Sequence, residues 1–478
     1  MKRHVSGFPA ARAAICIWMV LLLCVSAAAV AEAPASALAE KLAAAEGVLR
    51  VERVEGNRSA WMPEKYIVTV EQQLDWNHPE AGSFPQRVEL GLHPGAQVNV
   101  LETNGYQLFD DKLPTDDQPE VCSLLGANLI KVEHRFSGQS FPEGMTTRST
   151  KGWENLTTEN EAGDYHHIFE IFSRVLGGQW VAYGRSRGGR ACVDYARFYP
   201  GEMKGYVAYV APNCRGLIDG RYMEYVNTAV GDKAFGREQA AAFRETVEAF
   251  QVACMKDRAQ LEQPLWEAMK DGGYGFPGWV TKERLFDLAV LEFQSSFWVS
   301  GGPVSEIEEV LALPEGTART DAVFALLQKY GDPSSYSADN AGFAYYSGAL
   351  INEGFYGLDF SYLRAALGKA GLEDRLRLTP EEERDFFENV VLEDDQKASF
   401  TFVPGEYEAL DAFAKTTDLP IVLIGGDLDP WSAMYIDGGD NPNFRRFILV
   451  GAGHFAQIEG FAPEIREEIQ GTILSWVK

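Results

Sequence analysis

The sequence predicts an α/β fold in which one open, mostly parallel eight-stranded sheet carries helices on both faces and accepts a large helical insertion. Three observations lead to this prediction: short apolar segments rich in β-branched residues, helical periodicity between them, and one very long gap before the last two segments. The strand-like segments are residues 65–72, 86–92, 97–103, 127–133, 179–185, 205–211, 419–426 and 446–450.

The long gap indicates an inserted domain. It spans roughly two hundred residues between neighbouring strands, far more than a loop in a compact domain. Helical patterns at 233–258 and 380–394 fall inside it. We therefore expect residues 32–213 and 419–478 to form the two parts of the sheet domain, and residues 214–418 to form a helical cap. An insertion at this point is well placed to cover a site at the sheet edge and to exclude water from it.

The first residues have the pattern of a secretory signal peptide. Lys2 and Arg3 precede an apolar block at 13–30, and Ala29-Val30-Ala31 matches a small-x-small cleavage site. Residues 1–31 are therefore predicted to direct export, to a periplasm or to the medium, and to be removed.

Composition excludes several function classes. The formal charge of −26 disfavours binding to nucleic-acid phosphates or anionic lipid, so we expect neither nucleic acid nor membrane as a partner. No Cys-x-x-Cys or His-Glu-x-x-His spacing occurs, and we expect no metal and no cofactor. After export four cysteines would be left, which allow three disulfide pairings, and the sequence does not choose between them. These four cysteines are Cys122, Cys192, Cys214 and Cys254. The sequence does not indicate the oligomeric state.

A Gly-x-Ser-x-Gly pentapeptide at 184–188 joins the strand-like segment 179–185 to a helix-like segment. A serine on such a tight turn is held above the sheet edge, because the flanking glycines let strand and helix approach each other. Ser186 is therefore the predicted nucleophile. The backbone N–H of Arg187 would form one half of an oxyanion hole at the start of the helix.

An acid and a histidine follow in the chain order of the α/β-hydrolase fold. Only one of the seven histidines, His454, lies downstream of the pentapeptide, and it follows the last strand-like segment. Asp429 follows the preceding segment, and the proline after it fixes the turn. Ser186, Asp429 and His454 are the predicted catalytic triad. Asp427 is a competing acid that position alone does not eliminate.

Segments outside the pentapeptide carry a resemblance to known families. Residues 73–78, 84–87, 133–140, 156–157, 162 and 164 resemble the exported serine peptidases that include Pro-X carboxypeptidase and dipeptidyl peptidase II. Residues 180–186, 188–189, 199–200, 206–213, 352–356 and 429–433 are more similar still to the Streptomyces-type prolyl tri/tetrapeptidyl aminopeptidase family, and the resemblance spans nearly the whole chain after residue 31.

The resemblance implies an α/β-hydrolase with a helical cap that needs no metal and acts on peptides with a free amino terminus. It implies release of three or four residues, often by cleavage after proline, with Ser186, Asp429 and His454 at the catalytic positions. The second oxyanion N–H would come from Gly105 or Tyr106.

Three residues are candidates for substrate binding. Glu353 is an anion in an apolar, aromatic stretch of the insertion, and is suited to pair with the substrate ammonium. Trp431 beside the acid is a candidate wall for a proline pocket. Arg185 stands where the family has a small residue, and its cation would lie near the acyl site. The same triad also fits an esterase or lipase, a serine carboxypeptidase that uses Arg185, or an inactive binding protein.

Overall fold

The computed structural model describes residues 37–145, 153–216, 218–337, 361–384 and 402–478. A nine-stranded sheet runs through the molecule in the order β1-β2-β3-β5-β4-β6-β7-β8-β9. Its strands are β1 Val48–Arg53, β2 Glu64–Gln73, β3 Ser83–Leu92, β4 Val98–Thr103, β5 Asn128–Val132, β6 Gln179–Arg185, β7 Tyr206–Tyr209, β8 Ile421–Gly426 and β9 Phe444–Leu449.

The sheet is mostly parallel, as the sequence predicts. Strands β4 to β9 pair in parallel, while β1, β2 and β3 join antiparallel at one side. The eight predicted segments correspond to β2–β9, and β1 is an additional edge strand. Its sequence, VLRVER, is charged and largely exposed, because only one side of an edge strand is covered, so it lacks the apolar signal of the others. This is the α/β-hydrolase topology with one strand added.

Six helices of the described ranges pack with the sheet domain. The apolar cluster around the sheet includes residues from these helices as well as from the strands. The last helix before β8 belongs here, since its Leu410 and Ala414 are buried in that cluster. The helices are Ala37–Ala43, Glu120–Leu125, Thr158–Leu176, Arg187–Phe198, Gly405–Thr416 and Pro463–Ser475.

The chain between β7 and Gly405 is helical in its described part, and a second apolar cluster forms its core. Phe250 and Phe293 stack at the centre of this cap with ring centroids 4.3 Å apart. The helical pattern at 233–258 corresponds to two helices, Asp232–Phe235 and Arg237–Lys256, and reaches the first residue of the next. The pattern at 380–394 begins with the helix Pro380–Arg384, and its remainder lies outside the described residues. The cap helices are Arg221–Thr228, Asp232–Phe235, Arg237–Lys256, Arg258–Asp271, Lys282–Val299, Val304–Ala312, Thr317–Tyr330, Ser361–Ala370 and Pro380–Arg384.

The cysteines that the structure describes, Cys122, Cys192, Cys214 and Cys254, are buried free thiols. Each is surrounded by apolar side chains of one of the two clusters. Within the described ranges, no helix combines the length and the apolar character needed to cross a membrane.

Candidate active site

Ser186 occupies a strained turn between β6 and the helix Arg187–Phe198. Its backbone angles are φ 56° and ψ −124°, a region that residues other than glycine seldom adopt. The turn requires a glycine at position 184, because a Cβ there would lie only 2.0 Å from the Gly188 carbonyl oxygen. The Ser186 amide donates a 2.8 Å hydrogen bond to the Tyr209 carbonyl on β7. The serine is thereby held at the carboxyl edge of the sheet, as the pentapeptide predicts.

His454 and Asp429 form a hydrogen-bonded pair. Nδ1 of His454 lies 2.7 Å from Oδ2 of Asp429. The carboxylate is fully buried, and it also accepts from the Tyr435 hydroxyl and, at 3.1 Å, from the Trp431 amide. A carboxylate at Nδ1 favours the tautomer in which Nε2 is unprotonated. The geometry therefore makes Nε2 of His454 available as a base.

Asp427 has different partners. Its Oδ1 accepts a 2.6 Å hydrogen bond from the Gly451 amide, and its backbone carbonyl accepts from the Tyr225 hydroxyl at 2.6 Å. Burial raises the pKa of its carboxyl group. The structure thus pairs Asp429, and not the competing Asp427, with the histidine.

Arg185 connects the turn at Ser186 to the loop that carries His454. Its guanidinium donates to the carbonyl oxygens of His454 at 3.0 Å and Ala456 at 3.3 Å, and lies 4.7 Å from the ring centre of Tyr209. The side chain expected to contact substrate is engaged with backbone. Ser186 and His454 both lie in the described part of the chain, and their side chains form no hydrogen bond with each other there. In enzymes, hydrogen bonds of this kind are often long without substrate and shorten when substrate binds.

The proposed oxyanion donors lie next to each other. The Arg187 guanidinium donates to the Gly105 carbonyl and lies 5.8 Å from the ring centre of Tyr106. A Cβ on Gly105 would approach the Gly188 amide nitrogen to 2.8 Å. The loop after β4 therefore touches the first turn of the helix that follows Ser186, where the helix dipole favours negative charge.

A buried network of polar side chains, Arg187, His134 and Glu161, lies next to this contact. The Arg187 guanidinium also lies against Nε2 of His134, which is 3.0 Å from the Glu161 carboxylate. Burial lowers the pKa of His134 to about 4, and the positive charge of Arg187 adds to the shift. His134 is therefore neutral at physiological pH. Sequence reasoning did not identify this network, because its members are scattered and lack a motif.

The cap reaches the histidine directly. The His454 amide donates a 2.8 Å hydrogen bond to the carbonyl of Val299, at the C-terminal end of the cap helix Lys282–Val299. The approach is so close that a Cβ on Gly453 would lie 2.3 Å from that carbonyl oxygen. A glycine before the histidine is required for this contact.

The same helix carries a buried acid, Glu292. Its carboxylate accepts from the Tyr336 hydroxyl at 3.3 Å and from the Ser296 hydroxyl at 3.4 Å. Sequence reasoning missed Glu292, although an acid in the apolar run LFDLAVLEF is the same kind of signal that singled out Glu353. Glu353 itself lies outside the described residues.

Tyr222 lies between the helix of Glu292 and the segment of Trp431. Its ring packs edge-on against Trp431, with centroids 5.1 Å apart. Burial raises the pKa of Tyr222 well above its ordinary value, and the charges of Glu292 and Asp429 raise it further. The helix Arg221–Thr228, which carries Tyr222, packs against both the cap helix of Glu292 and the turn Pro430–Met434 that contains Trp431. These three elements therefore meet where the cap covers the sheet domain. In the described part of the chain, no group of three or more acidic, His or Cys side chains is arranged to hold a metal ion.

Comparison with known proteins gives one curated relative and many solved structures. The prolyl tri/tetrapeptidyl aminopeptidase of Streptomyces mobaraensis is 24% identical over 416 residues, which cover 86% of this chain and 79% of that protein. Among solved structures, the chain is similar to the proline iminopeptidase of Mycobacterium smegmatis (12% identity, TM-score 0.37, 85% of this chain and 98% of that one). A proline iminopeptidase-related protein of Thermus thermophilus is also similar (10% identity, TM-score 0.35, 86% and 98%).

The family comparison covers almost the whole chain. The family described as PS-10 peptidase S37 matches residues 31–478, which include the turn at Ser186, the cap and the loop that carries His454. The chain therefore belongs to the peptidase S37 family and is a serine peptidase of α/β-hydrolase fold.

Proposed function

We propose that the protein is an exopeptidase that removes peptides of three or four residues from free amino termini, with cleavage after proline. The observation that carries the proposal is the 2.7 Å pair of His454 and Asp429 at the same sheet edge as the strained Ser186. The name of the Streptomyces relative supports the peptide length and the proline preference.

In the proposed mechanism, the Ser186 hydroxyl attacks the scissile carbonyl while its proton passes to Nε2 of His454. The backbone N–H groups of Arg187 and of Gly105 or Tyr106 stabilise the oxyanion. His454 then protonates the leaving amine, and the C–N bond breaks to give an acyl-enzyme. Water then gives a proton to the same imidazole and attacks the ester. The amino-terminal peptide leaves with a new carboxylate, and Ser186 regains its proton from His454. Asp429 orients His454 and stabilises its charged form throughout.

The position of Glu292 fits recognition of the substrate ammonium. It precedes Val299 by seven residues on one helix, which corresponds to roughly 10 Å along the axis. An extended tripeptide also spans roughly 10 Å. With its carbonyl at Ser186 and His454, such a peptide would bring its amino terminus to the level of Glu292. Trp431 would then lie beside the residue that is cleaved, as a wall for the proline ring. Glu353 is a second candidate anion in the same cap.

A paired assay tests the proposal. We expect turnover of Ala-Ala-Pro-nitroanilide with a free amino terminus, and little turnover when that amine is acetylated. A nitrophenyl ester separates an esterase from a peptidase, and a fluorophosphonate probe reports on the nucleophile. The probe should label the protein and fail to label Ser186→Ala. Equal rates on free and acetylated peptide would contradict the exopeptidase proposal.

Replacement of Glu292 tests its role separately. Glu292→Gln keeps the shape and removes the charge, so we expect KM for the free peptide to rise about 10- to 100-fold, since a buried charge-assisted hydrogen bond contributes about 1.5–3 kcal/mol. Hydrolysis of the nitrophenyl ester should change little. Glu309 is an exposed acid on the cap helix Val304–Ala312. Its replacement, Glu309→Gln, is the matched control and should leave KM unchanged. An unchanged KM in the Glu292 variant would exclude this carboxylate.

We also propose that residues 1–31 are a signal peptide and that the mature enzyme is exported. Edman sequencing of protein recovered outside the cytoplasm should begin at residue 32. A mature protein that retains Lys2 and Arg3 would contradict this.

A further inference from the structure

An aromatic side chain stands exposed beside the histidine. Phe455 follows His454 directly, and 69% of its surface is accessible. The two rings are 6.1 Å apart between centroids and are nearly perpendicular. We propose that Phe455 binds the residue on the leaving side of the scissile bond and makes the enzyme prefer an apolar side chain there. This inference depends on the proposed peptidase function.

The chemistry of the histidine determines where the leaving residue must lie. Nε2 of His454 has to protonate the leaving nitrogen, so the two atoms must come within hydrogen-bond distance, about 3 Å. The side chain of that residue is then one or two bonds farther away, within reach of a ring 6.1 Å from the imidazole.

The backbone around Phe455 is held on both sides. The carbonyl groups of His454 and Ala456 accept from the Arg185 guanidinium, and the His454 amide is bound to Val299. The following side chain, Ala456, is buried. The ring is therefore presented from a fixed loop, and binding a substrate against it requires little further ordering of the backbone. Single exposed apolar residues are common on protein surfaces; this one differs in its rigid position next to the catalytic base.

The test compares peptides that differ only after the cleaved bond. Ala-Ala-Pro-Phe-Ala and Ala-Ala-Pro-Gly-Ala report the preference, and Ala-Ala-Pro-amide has no side chain on the leaving side. For the wild-type enzyme we expect kcat/KM to be about tenfold higher with Phe than with Gly, the discrimination that an apolar contact of this size provides. In Phe455→Ala the ratio should fall to about one while amide turnover is unchanged. Phe455→Leu should retain most of the preference.

Leu49 is an exposed apolar residue on the edge strand β1. Its replacement, Leu49→Ala, is the control and should keep the wild-type ratio. A Phe-to-Gly ratio that is the same in Phe455→Ala and wild type would overturn the inference and leave the peptidase function intact. An equal loss on all three substrates would also overturn it, because it would show a structural role. A wild-type enzyme that cleaves none of the free-amine peptides would instead refute the proposed function on which the inference depends.

Discussion

Asp427 and Asp429 are separated by one residue, yet their carboxylates have different partners. Asp429 binds the histidine, whereas Asp427 accepts from a backbone amide of the loop after β9. Both follow β8, and a local sequence pattern contains no information about which side chain points toward a loop 25 residues farther along. The sequence favours Asp429 through the proline that follows it, but only the three-dimensional structure shows which of the two carboxylates contacts His454.

The difference predicts opposite outcomes for two similar substitutions. Asp429→Asn should lower kcat about 10⁴-fold, because the amide supports the wrong tautomer of His454. Asp427→Asn should retain kcat within about threefold, since an amide oxygen still accepts from the Gly451 N–H. Steady-state kinetics with Ala-Ala-Pro-nitroanilide measures both. A larger loss in the Asp427 variant would reverse the assignment.

Arg185 and Glu292 show a second limit at this scale. Arg185 is predicted as a substrate contact from its position next to Ser186, but its guanidinium binds carbonyl groups roughly 270 residues away in sequence. A cation that binds backbone carbonyls has no sequence signature, since any residue supplies the acceptor. Glu292 has a sequence signature, since it is an acid in an apolar helix, and Glu353 in the same insertion has the same one.

Among the elements, the turn between β6 and its helix is tightly constrained. Strand, turn and helix were all predictable, because glycines at fixed spacing and a change of periodicity are local features. The edge strand β1 was not, since half of it faces solvent and its charged residues resemble a loop.

A methyl group at Gly184 should disrupt this turn. Gly184→Ala places Cβ against the Gly188 carbonyl, and we expect it to lower the free energy of unfolding by about 2–4 kcal/mol. Gly471→Ala is the control: it lies within the helix Pro463–Ser475 with no atom near the added carbon, and should stabilise by about 0.5–1 kcal/mol. Urea unfolding compares them. Equal stability in both variants would show that the turn adapts to a side chain.

At the scale of the whole molecule, the cap helices have an apolar cluster of their own, which side chains of the sheet domain such as Phe84 and Leu428 join where the two parts meet. The insertion could be predicted from the distance between strands, because no loop is that long. Its internal packing could not, since helical periodicity shows that a helix has an apolar face but not which helix covers it. For the same reason, Gly405–Thr416 lies in the predicted cap segment but packs with the sheet domain.

The buried His134 should make global stability depend on pH. Its folded pKa of about 4 is below the value near 6.5 of an unfolded histidine, so the unfolded chain binds more protons between these values. Stability therefore falls as pH drops below about 6.5, by about 2 kcal/mol between pH 7 and pH 5. Urea unfolding of His134→Gln should show a smaller loss over this range.

His166 provides a control of opposite sign. A hydrogen bond to Glu202 raises its pKa, so it adds stability at acidic pH, and His166→Gln should show a larger loss on acidification than the wild type. If the His134 variant loses as much stability as the wild type, the histidine is not held neutral.

The bond between the Val299 carbonyl and the His454 amide ties two motions together. If the cap swings outward with this helix, it must either break that bond or pull the base away from its acid. The helix Lys282–Val299 therefore cannot shift relative to the sheet domain while this hydrogen bond and the His454–Asp429 pair both persist. A displacement of the cap would be transmitted to the imidazole.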